Sequence, residues 1–297
     1  KKNVFNKKKS TLLVTTPTHI LNNFSEKLNK NYNCIFASDS SSKVIKKILP
    51  EIDFWICSPS PTYKIDSKFL KTAKKLKAIF TPSTGITHLD TNYLKRNRIK
   101  LFSIKDHPKL KSIKASSEFT FGLILDGLRN LSLGTKLSKN GFWRQQEDSL
   151  RGNQLFGKKI GIIGYGRIGS NVAKYSRSFG MKCSSYDPFK KKILQKMGMY
   201  VGLDRLIKES DLILVSVHLN KKTKNLVDKK FLKKMHKNAV LINTSRGEVI
   251  DEKALLNSLK KNLIKSAHLD VVTNEQSLDL NDHPLINFSK NSRKLTI

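Results

Sequence analysis

The first hundred residues alternate short apolar runs with stretches whose apolar positions recur at helical spacing, the order expected of βα units. The pattern predicts strands over 11–16, 32–37, 54–58 and 78–81. Between them it predicts a helix starting over 22–28 and two more over 42–49 and 68–77, with Pro50 closing the second. This is a small parallel α/β domain. Residues 104–113, which contain Pro108 and several charges, read as a crossing to a second domain, so the boundary is expected near residue 110.

Residues 116–133 open with serines followed by Glu118 and continue with apolar residues at helical spacing. That predicts a long, largely buried helix with a capping signal at its start. From Gly157 the alternation returns more strongly, with strands over 159–164, 181–186, 212–217, 239–243 and 265–271. Helices over 170–179, 203–209, 229–235 and 251–260 lie between them, as in a doubly wound parallel sheet. The expected fold is therefore α/β, with two Rossmann-like domains of parallel strands. One is flavodoxin-like over 1–110, and the other is a doubly wound dinucleotide-binding domain over 111–297.

Within the second domain Gly164, Gly166 and Gly169 form G-x-G-x-x-G between a predicted strand and a predicted helix, with Tyr165, Arg167 and Ile168 at the intervening positions. Gly164 permits the tight turn, Gly166 lets backbone approach a pyrophosphate, and Gly169 allows close helix–strand packing. The helix N-terminus then directs N–H groups at the phosphate charge. Asp187 follows 18 positions after Gly169, where an acidic residue meets the adenosine ribose hydroxyls and repels a 2′-phosphate. NAD is thus expected rather than NADP.

Composition sets bounds on partners. With 297 residues, 38% of them hydrophobic, the chain can bury two cores. The formal charge of +34 would suit nucleic acid or an anionic membrane, but 47 of the 57 basic residues are lysines scattered as singles and pairs. The clusters Lys7 to Lys9 and Lys229, Lys230, Lys233, Lys234 are short, and arginine stripes interleaved with aromatics are absent. The lysines read as a solvated surface, with neither nucleic acid nor membrane as partner. No long uncharged apolar run and no secretory signal occur, so the cytoplasm is the expected compartment. Cys34, Cys57 and Cys183 lack metal or disulfide spacing and are expected in or near the core, with no metal site.

The segments 241–251 (LINTSRGEVID) and 269–275 (LDVVTNE) are the most specific part of a pattern that also includes 82–90, 117–125 and 180–188. On these the chain resembles the D-isomer-specific 2-hydroxyacid dehydrogenase family, which includes phosphoglycerate, glycerate and D-lactate dehydrogenases. The resemblance implies NAD-dependent hydride transfer to and from a small 2-hydroxy or 2-keto acid. It implies that Arg246 holds the substrate carboxylate and carbonyl, a task suited to a planar guanidinium fork. Glu275 would hydrogen-bond a catalytic histidine and raise its pKa for proton donation. Ser83, Thr84 and Gly85 would bring backbone N–H groups to the substrate carboxylate. Asp270 would contact the nicotinamide carboxamide, with Thr244 and Ser245 beside it. Ser216, Val217 and His218 stand where the family has histidine-valine-proline, putting Val217 next to the nicotinamide. The helix from Ser116 and the segment with Trp143 and Arg144 resemble a dimer-forming region, so a homodimer is expected. A non-catalytic NAD-sensing or protein-binding member of the same fold is the alternative.

In the family the acid/base histidine follows the glutamate after one more strand, in a threonine-proline-histidine context. Here residues 294–297 (KLTI) supply the strand and end the sequence. His218, His236, His268 and His283 lack that context, and His283, eight positions past Glu275, is the nearest substitute. The expectation is a chain truncated before the histidine and before the segment that returns to the first domain.

Overall fold

The computed structural model describes residues 9–18, 21–59, 61–275 and 282–297. The chain divides into two compact units, Lys1–Ser112 and Ile113–Ile297. Of the basic cluster Lys7 to Lys9, only Lys9 falls among the described residues.

The first unit runs β1 (Thr11–Val14), α1 (Phe24–Asn31), β2 (Asn33–Phe36), α2 (Ser42–Ile48), β3 (Phe54–Ile56), α3 (Ser67–Leu70), β4 (Ala78–Thr81), α4 (Thr91–Arg96) and β5 (Lys100–Ser103). All strand pairs are parallel, in the order β2-β1-β3-β4-β5, the flavodoxin-like arrangement. Leu13, Trp55 and Ile79 point to one face and pack with Ile45, Leu49 and Leu94, while Leu12 and Val14 pack with Cys34 on the other. Alternation along β1 thus feeds two cores.

Local details depart from the periodic reading for identifiable reasons. The helix expected over 68–77 is only the single turn of α3, capped by the Asp66 carboxylate accepting from Phe69 N at 2.9 Å. Leu70, Ala73 and Leu76 are all buried at a spacing of three, which suits the successive i→i+3 turns seen there better than a 3.6-residue period. Pro50 does not stop the chain from coiling, since it sits in the first turn of a 3₁₀ segment, Leu49–Glu51, where its missing N–H costs nothing. α4 and β5 were not legible from periodicity because β5 is a half-exposed edge strand carrying a lysine.

The second unit runs α5 (Ala115–Arg129), α6 (Leu131–Lys139), α7 (Glu147–Leu150), β6 (Lys159–Ile163), α8 (Arg167–Ser178), β7 (Lys182–Tyr186), α9 (Lys191–Lys196), α10 (Leu203–Glu209) and β8 (Leu212–Val215). It continues with α11 (Lys229–Lys234), β9 (Val240–Asn243), α12 (Glu252–Lys260), β10 (Ser266–Leu269), α13 (Pro284–Lys290) and β11 (Leu295–Thr296). The six-stranded parallel sheet has the order β11-β10-β9-β8-β6-β7. A single parallel bridge between Ser185 and Tyr200 stands outside β7, where a doubly wound sheet has its third strand. β8, β9 and β10 are buried along their whole length, as expected of strands covered on both faces. Ile213, Val215, Leu241 and Leu269 meet α10, α11 and α12 on one side, and Ile160, Ile162, Leu214 and Ile242 meet α5 and α8 on the other. Among the described residues no helix is long and apolar enough to cross a membrane.

The long helix expected from Ser116 is broken. Asn130 adopts φ 55°, a left-handed conformation that Asn tolerates, and separates α5 from α6. The break is held by Asp126, which accepts from Ser132 N at 2.6 Å and from Ser132 Oγ at 2.9 Å. α6 has no buried residue, so only α5 is a core helix. Nor do the serines cap α5. Its N-cap is Lys114, while Ser117 is buried and its hydroxyl accepts from Asn171 Nδ2 of α8 at 3.3 Å, a tertiary contact that overrides capping. Cys34 and Cys57 are buried and Cys183 half-buried, all as free thiols.

α5 crosses β10 at Gly127, directly over the His268 ring, where a Cβ would come within 2.6 Å of the imidazole. His268 is buried, faces Ser266 Oγ at 3.1 Å through Nε2, and has its pKa pushed down by burial to about 4. An unfolded histidine takes up a proton near pH 6.5, whereas this one stays neutral to about pH 4. Its contribution is therefore complete above that range and is lost as pH falls toward the folded value. Urea unfolding is expected to show about 2 kcal/mol less stability at pH ~5 than at pH ~7.5 from this group alone. The difference should flatten in His268→Gln; an equal acid loss in the variant would assign it elsewhere.

Candidate active site

The C-terminal ends of β6 and β8 diverge where the strand order reverses, the place at which doubly wound sheets bind ligands. Gly164 leaves β6 with φ 92°, its N–H donating to Tyr186 O at 2.9 Å. Its missing side chain admits the Ser216 carbonyl, with Val217 packed alongside. Gly169, one turn into α8, lies against the Gly164 carbonyl and Ile162, where a Cβ would collide. Gly166 is different. Nothing lies within 4 Å of where its Cβ would stand, so open space faces the first turn of the 12-residue α8, whose N–H groups have no intrahelical acceptor. A diphosphate fits this geometry. Arg167 sends Nη1 to Ile113 O at 2.6 Å, and Ile168 packs into the core, so both face the turn with backbone rather than side chain.

Asp187 follows β7 and ties the turn together. Its Oδ2 accepts from Tyr165 N at 2.9 Å and its Oδ1 from Phe189 N at 3.0 Å. Lys190, which periodicity could not single out among so many lysines, donates to Tyr165 O at 2.7 Å. A fixed carboxylate and a fixed ammonium thus flank the glycine turn.

The turn after β9 is organised by a residue the motif reading passed over. Asn243 is fully buried; its Oδ1 accepts from Ser245 N at 3.0 Å and Ser245 Oγ at 2.6 Å, and its Nδ2 donates to Arg246 O at 3.0 Å. The sign of it was a polar residue closing an apolar strand. Thr244 Oγ lies 2.9 Å from Thr120 Oγ, whose own proton goes to Ser116 O, so Thr244 donates. Arg246 is half-buried, with Nη1 donating to Ser245 O at 2.7 Å.

Asp270 leaves β10 with its N–H on Asn243 O at 3.0 Å, next to that turn. Partial desolvation raises its carboxyl above the usual range. Glu275 is raised for the same first reason, opposed by a hydrogen bond from Val272 N at 3.4 Å and by the nearby Arg246 charge. Gly247 brings the two segments together, since a Cβ there would run into the Val272–Thr273 peptide bond. Thus Arg246, Asp270 and Glu275 are gathered on one strand-end edge.

In the first unit Ser83, Thr84 and Gly85 form the half-buried loop after β4. Ser83 Oγ donates to Gly85 O at 2.5 Å and stands 3.4 Å from Thr81 Oγ. Thr81 Oγ and Cys57 Sγ both approach Nε2 of buried His88, at 3.4 and 3.7 Å. Burial pushes the Cys57 thiol up to about 11, so it is protonated at neutral pH.

Of the other histidines, His218 is exposed, His268 is locked under α5, and His283 is buried with Nε2 3.1 Å from Glu252 Oε2. Among the described residues no histidine is hydrogen-bonded or ion-paired to Glu275.

Comparison with known proteins bears on what these sites are. Residues 12–111 match the family described as D-isomer specific 2-hydroxyacid dehydrogenase, catalytic domain, and residues 121–293 match its NAD binding domain. The chain is 33% identical over 235 residues to hydroxypyruvate reductase of Thermotoga maritima, covering 79% of this chain and 74% of that protein. It is 34% identical over 226 residues to D-3-phosphoglycerate dehydrogenase of Methanocaldococcus jannaschii, covering 75% of this chain and 41% of that one. D-lactate dehydrogenase from Aquifex aeolicus, solved with NAD and lactic acid, superposes with a TM-score of 0.79 at 28% identity, over 96% of this chain and 86% of that one.

Two outcomes follow from the geometry. Gly247→Ala meets backbone that has no flexible end to yield, so it should cost about 1–3 kcal/mol in urea unfolding; unchanged stability would mean the turn is not in contact. Glu275, with its pKa raised, favours folding below the usual carboxylate range and loses that contribution as pH rises through its folded value. Glu275→Gln should therefore raise the melting temperature at neutral pH by an amount that vanishes in acid, and a neutral-pH drop would contradict the desolvation.

Proposed function

Because the chain belongs to the D-isomer specific 2-hydroxyacid dehydrogenases, NAD-dependent oxidoreductases of hydroxy and keto acids, we propose that it interconverts a small 2-hydroxy acid and its 2-keto acid. The observation that carries this reading is the gathering of Arg246, Asp270 and Glu275 on one edge through the Gly247 contact. NADH, when bound, supplies the hydride. The chain's residues orient the acceptor and handle the charge that develops on it.

Arg246 has one nitrogen anchored on Ser245 O, and the rest of its fork takes the substrate carboxylate and polarises the carbonyl. Ser83, Thr84 and Gly85 offer N–H groups to the carboxylate. Glu275 orients and charge-stabilises the histidine acid that the family uses, and its partial desolvation strengthens that pairing. Gly164, Gly166, Arg167, Ile168 and Gly169 cradle the pyrophosphate, chiefly through backbone. Asp187 takes the ribose hydroxyls and disfavours a 2′-phosphate. Asp270 holds the carboxamide of the nicotinamide, with Val217, Thr244 and Ser245 lining its position.

The protein acts as a homodimer in the cytoplasm. Support for the dimer is a set of large apolar side chains left in solvent on the second unit: Phe119, Phe142, Trp143 at 69% exposure, Phe156 and Phe179. Support for a reducing compartment is three free cysteines.

The test is turnover of glyoxylate, hydroxypyruvate and phosphohydroxypyruvate by the full-length gene product, followed by NADH absorbance, with NADH affinity measured by calorimetry. Arg246→Lys should lower kcat/KM by about 10²-fold, because a point charge cannot replace the fork, and leave the NADH Kd within about twofold. Retention of full activity by that variant would remove Arg246 from the site.

A further inference from the structure

We propose that Glu252, held by His283, is a positioning residue that sets where the Asp270–Glu275 segment stands relative to Arg246. The inference rests on the roles given above to Arg246 and Glu275.

Glu252 is the first residue of α12, behind the N-cap Asp251, so its charge is favoured by the helix N-terminus. It is used for something other than capping. Its Oε1 accepts from the Thr273 backbone N–H at 2.6 Å, the shortest tertiary tie on that segment among the described residues. Its Oε2 lies 3.1 Å from His283 Nε2, which as the only possible donor of the two gives its proton to the carboxylate. Both side chains are taken out of water, His283 at 4% exposure and Glu252 at 18%. A carboxylate at that depth needs its partners, and here each oxygen has one.

The position of Thr273 gives the contact its reach. Its amide belongs to the peptide bond that Gly247 also lies against, so one planar unit meets both the neighbour of Arg246 and the Glu252 carboxylate. Asp270 is anchored at the strand end by Asn243 O, and among the described residues Glu275 is linked to its own segment by the long 3.4 Å bond from Val272 N. Only Asn274, at φ 57°, separates Thr273 from Glu275, so a displacement of the Thr273 peptide reaches Glu275 through a single intervening residue. His283 in turn is the N-cap of α13, which begins with Pro284, so the brace is fastened to a helix at its far end. Glu252 acts on neither substrate nor cofactor directly; it acts through the Thr273 peptide.

The experiment compares Glu252→Ala, Glu252→Gln and His283→Ala in the full-length protein by steady-state kinetics, NADH titration and hydrogen exchange at the Thr273 amide. Glu252→Ala should lower kcat about tenfold or more, move the pH dependence of kcat, and leave the NADH Kd within about threefold, because the glycine turn is untouched and Asp270 keeps its own tie to Asn243 O. The Thr273 amide should lose its protection. Glu252→Gln keeps an acceptor oxygen and should recover most of kcat and of the protection, and His283→Ala should reproduce part of the Glu252→Ala loss. Normal kcat and pH dependence in Glu252→Ala, with only the melting temperature lowered, would overturn the inference. If Glu275→Gln itself leaves turnover unaltered, the fault lies in the role of Glu275; the brace then stands or falls on exchange alone, and unchanged protection of Thr273 in Glu252→Ala overturns it.

Discussion

Gly247 lets the turn after β9 lie directly on the peptide joining Val272 to Thr273, and this backbone-on-backbone contact is the constraint on which the strand-end edge of the second unit depends. β9 and β10 pair in parallel and deliver their exits side by side, but that pairing leaves a gap between the segments that follow, which need not pack on each other. A residue without a side chain closes that gap. Once it is closed, an arginine on one segment and a glutamate on the other share an electrostatic environment, with the arginine charge opposing the rise that desolvation imposes on the glutamate.

The glycine turn after β6 works by the same economy of volume used for two opposite purposes. At Gly164 and Gly169 the missing side chain is replaced by neighbouring protein, so these positions are closed and shape the turn. At Gly166 it is replaced by nothing, and the space remains open in front of a helix N-terminus. One spacing motif therefore combines two structural glycines with one that leaves room for a ligand, and the surrounding contacts tell them apart.

The order and type of most elements could be read from apolar periodicity because the strands are either buried on both faces or alternate, as β8 and β4 show. What escaped was decided by interactions that periodicity does not carry. Asn130 interrupts a continuous helical pattern through one left-handed residue secured by Asp126, and Ser117 leaves the expected cap to meet Asn171. The candidate site divides in the same way. Gly164, Asp187 and Arg246 stand out because their residue types are unusual where they occur, whereas Lys190 is one of many lysines and Asn243 acts from inside the core. Glu252 has no mark in the sequence beyond its place in a first helical turn; its engagement with Thr273 requires two segments 21 positions apart in sequence to be adjacent.

The bridge between Ser185 and Tyr200 has a consequence for association between molecules. Among the described residues two backbone hydrogen bonds, Ser185 N to Met199 O and Val201 N to Ser185 O, flank β7 on its outer side. The rest of that margin is short and carries Lys182 and Ser184, the former exposed. A foreign strand seeking to extend the sheet there would find one end already occupied and the other guarded by a charge, so this rim resists the intermolecular pairing that leads to aggregates.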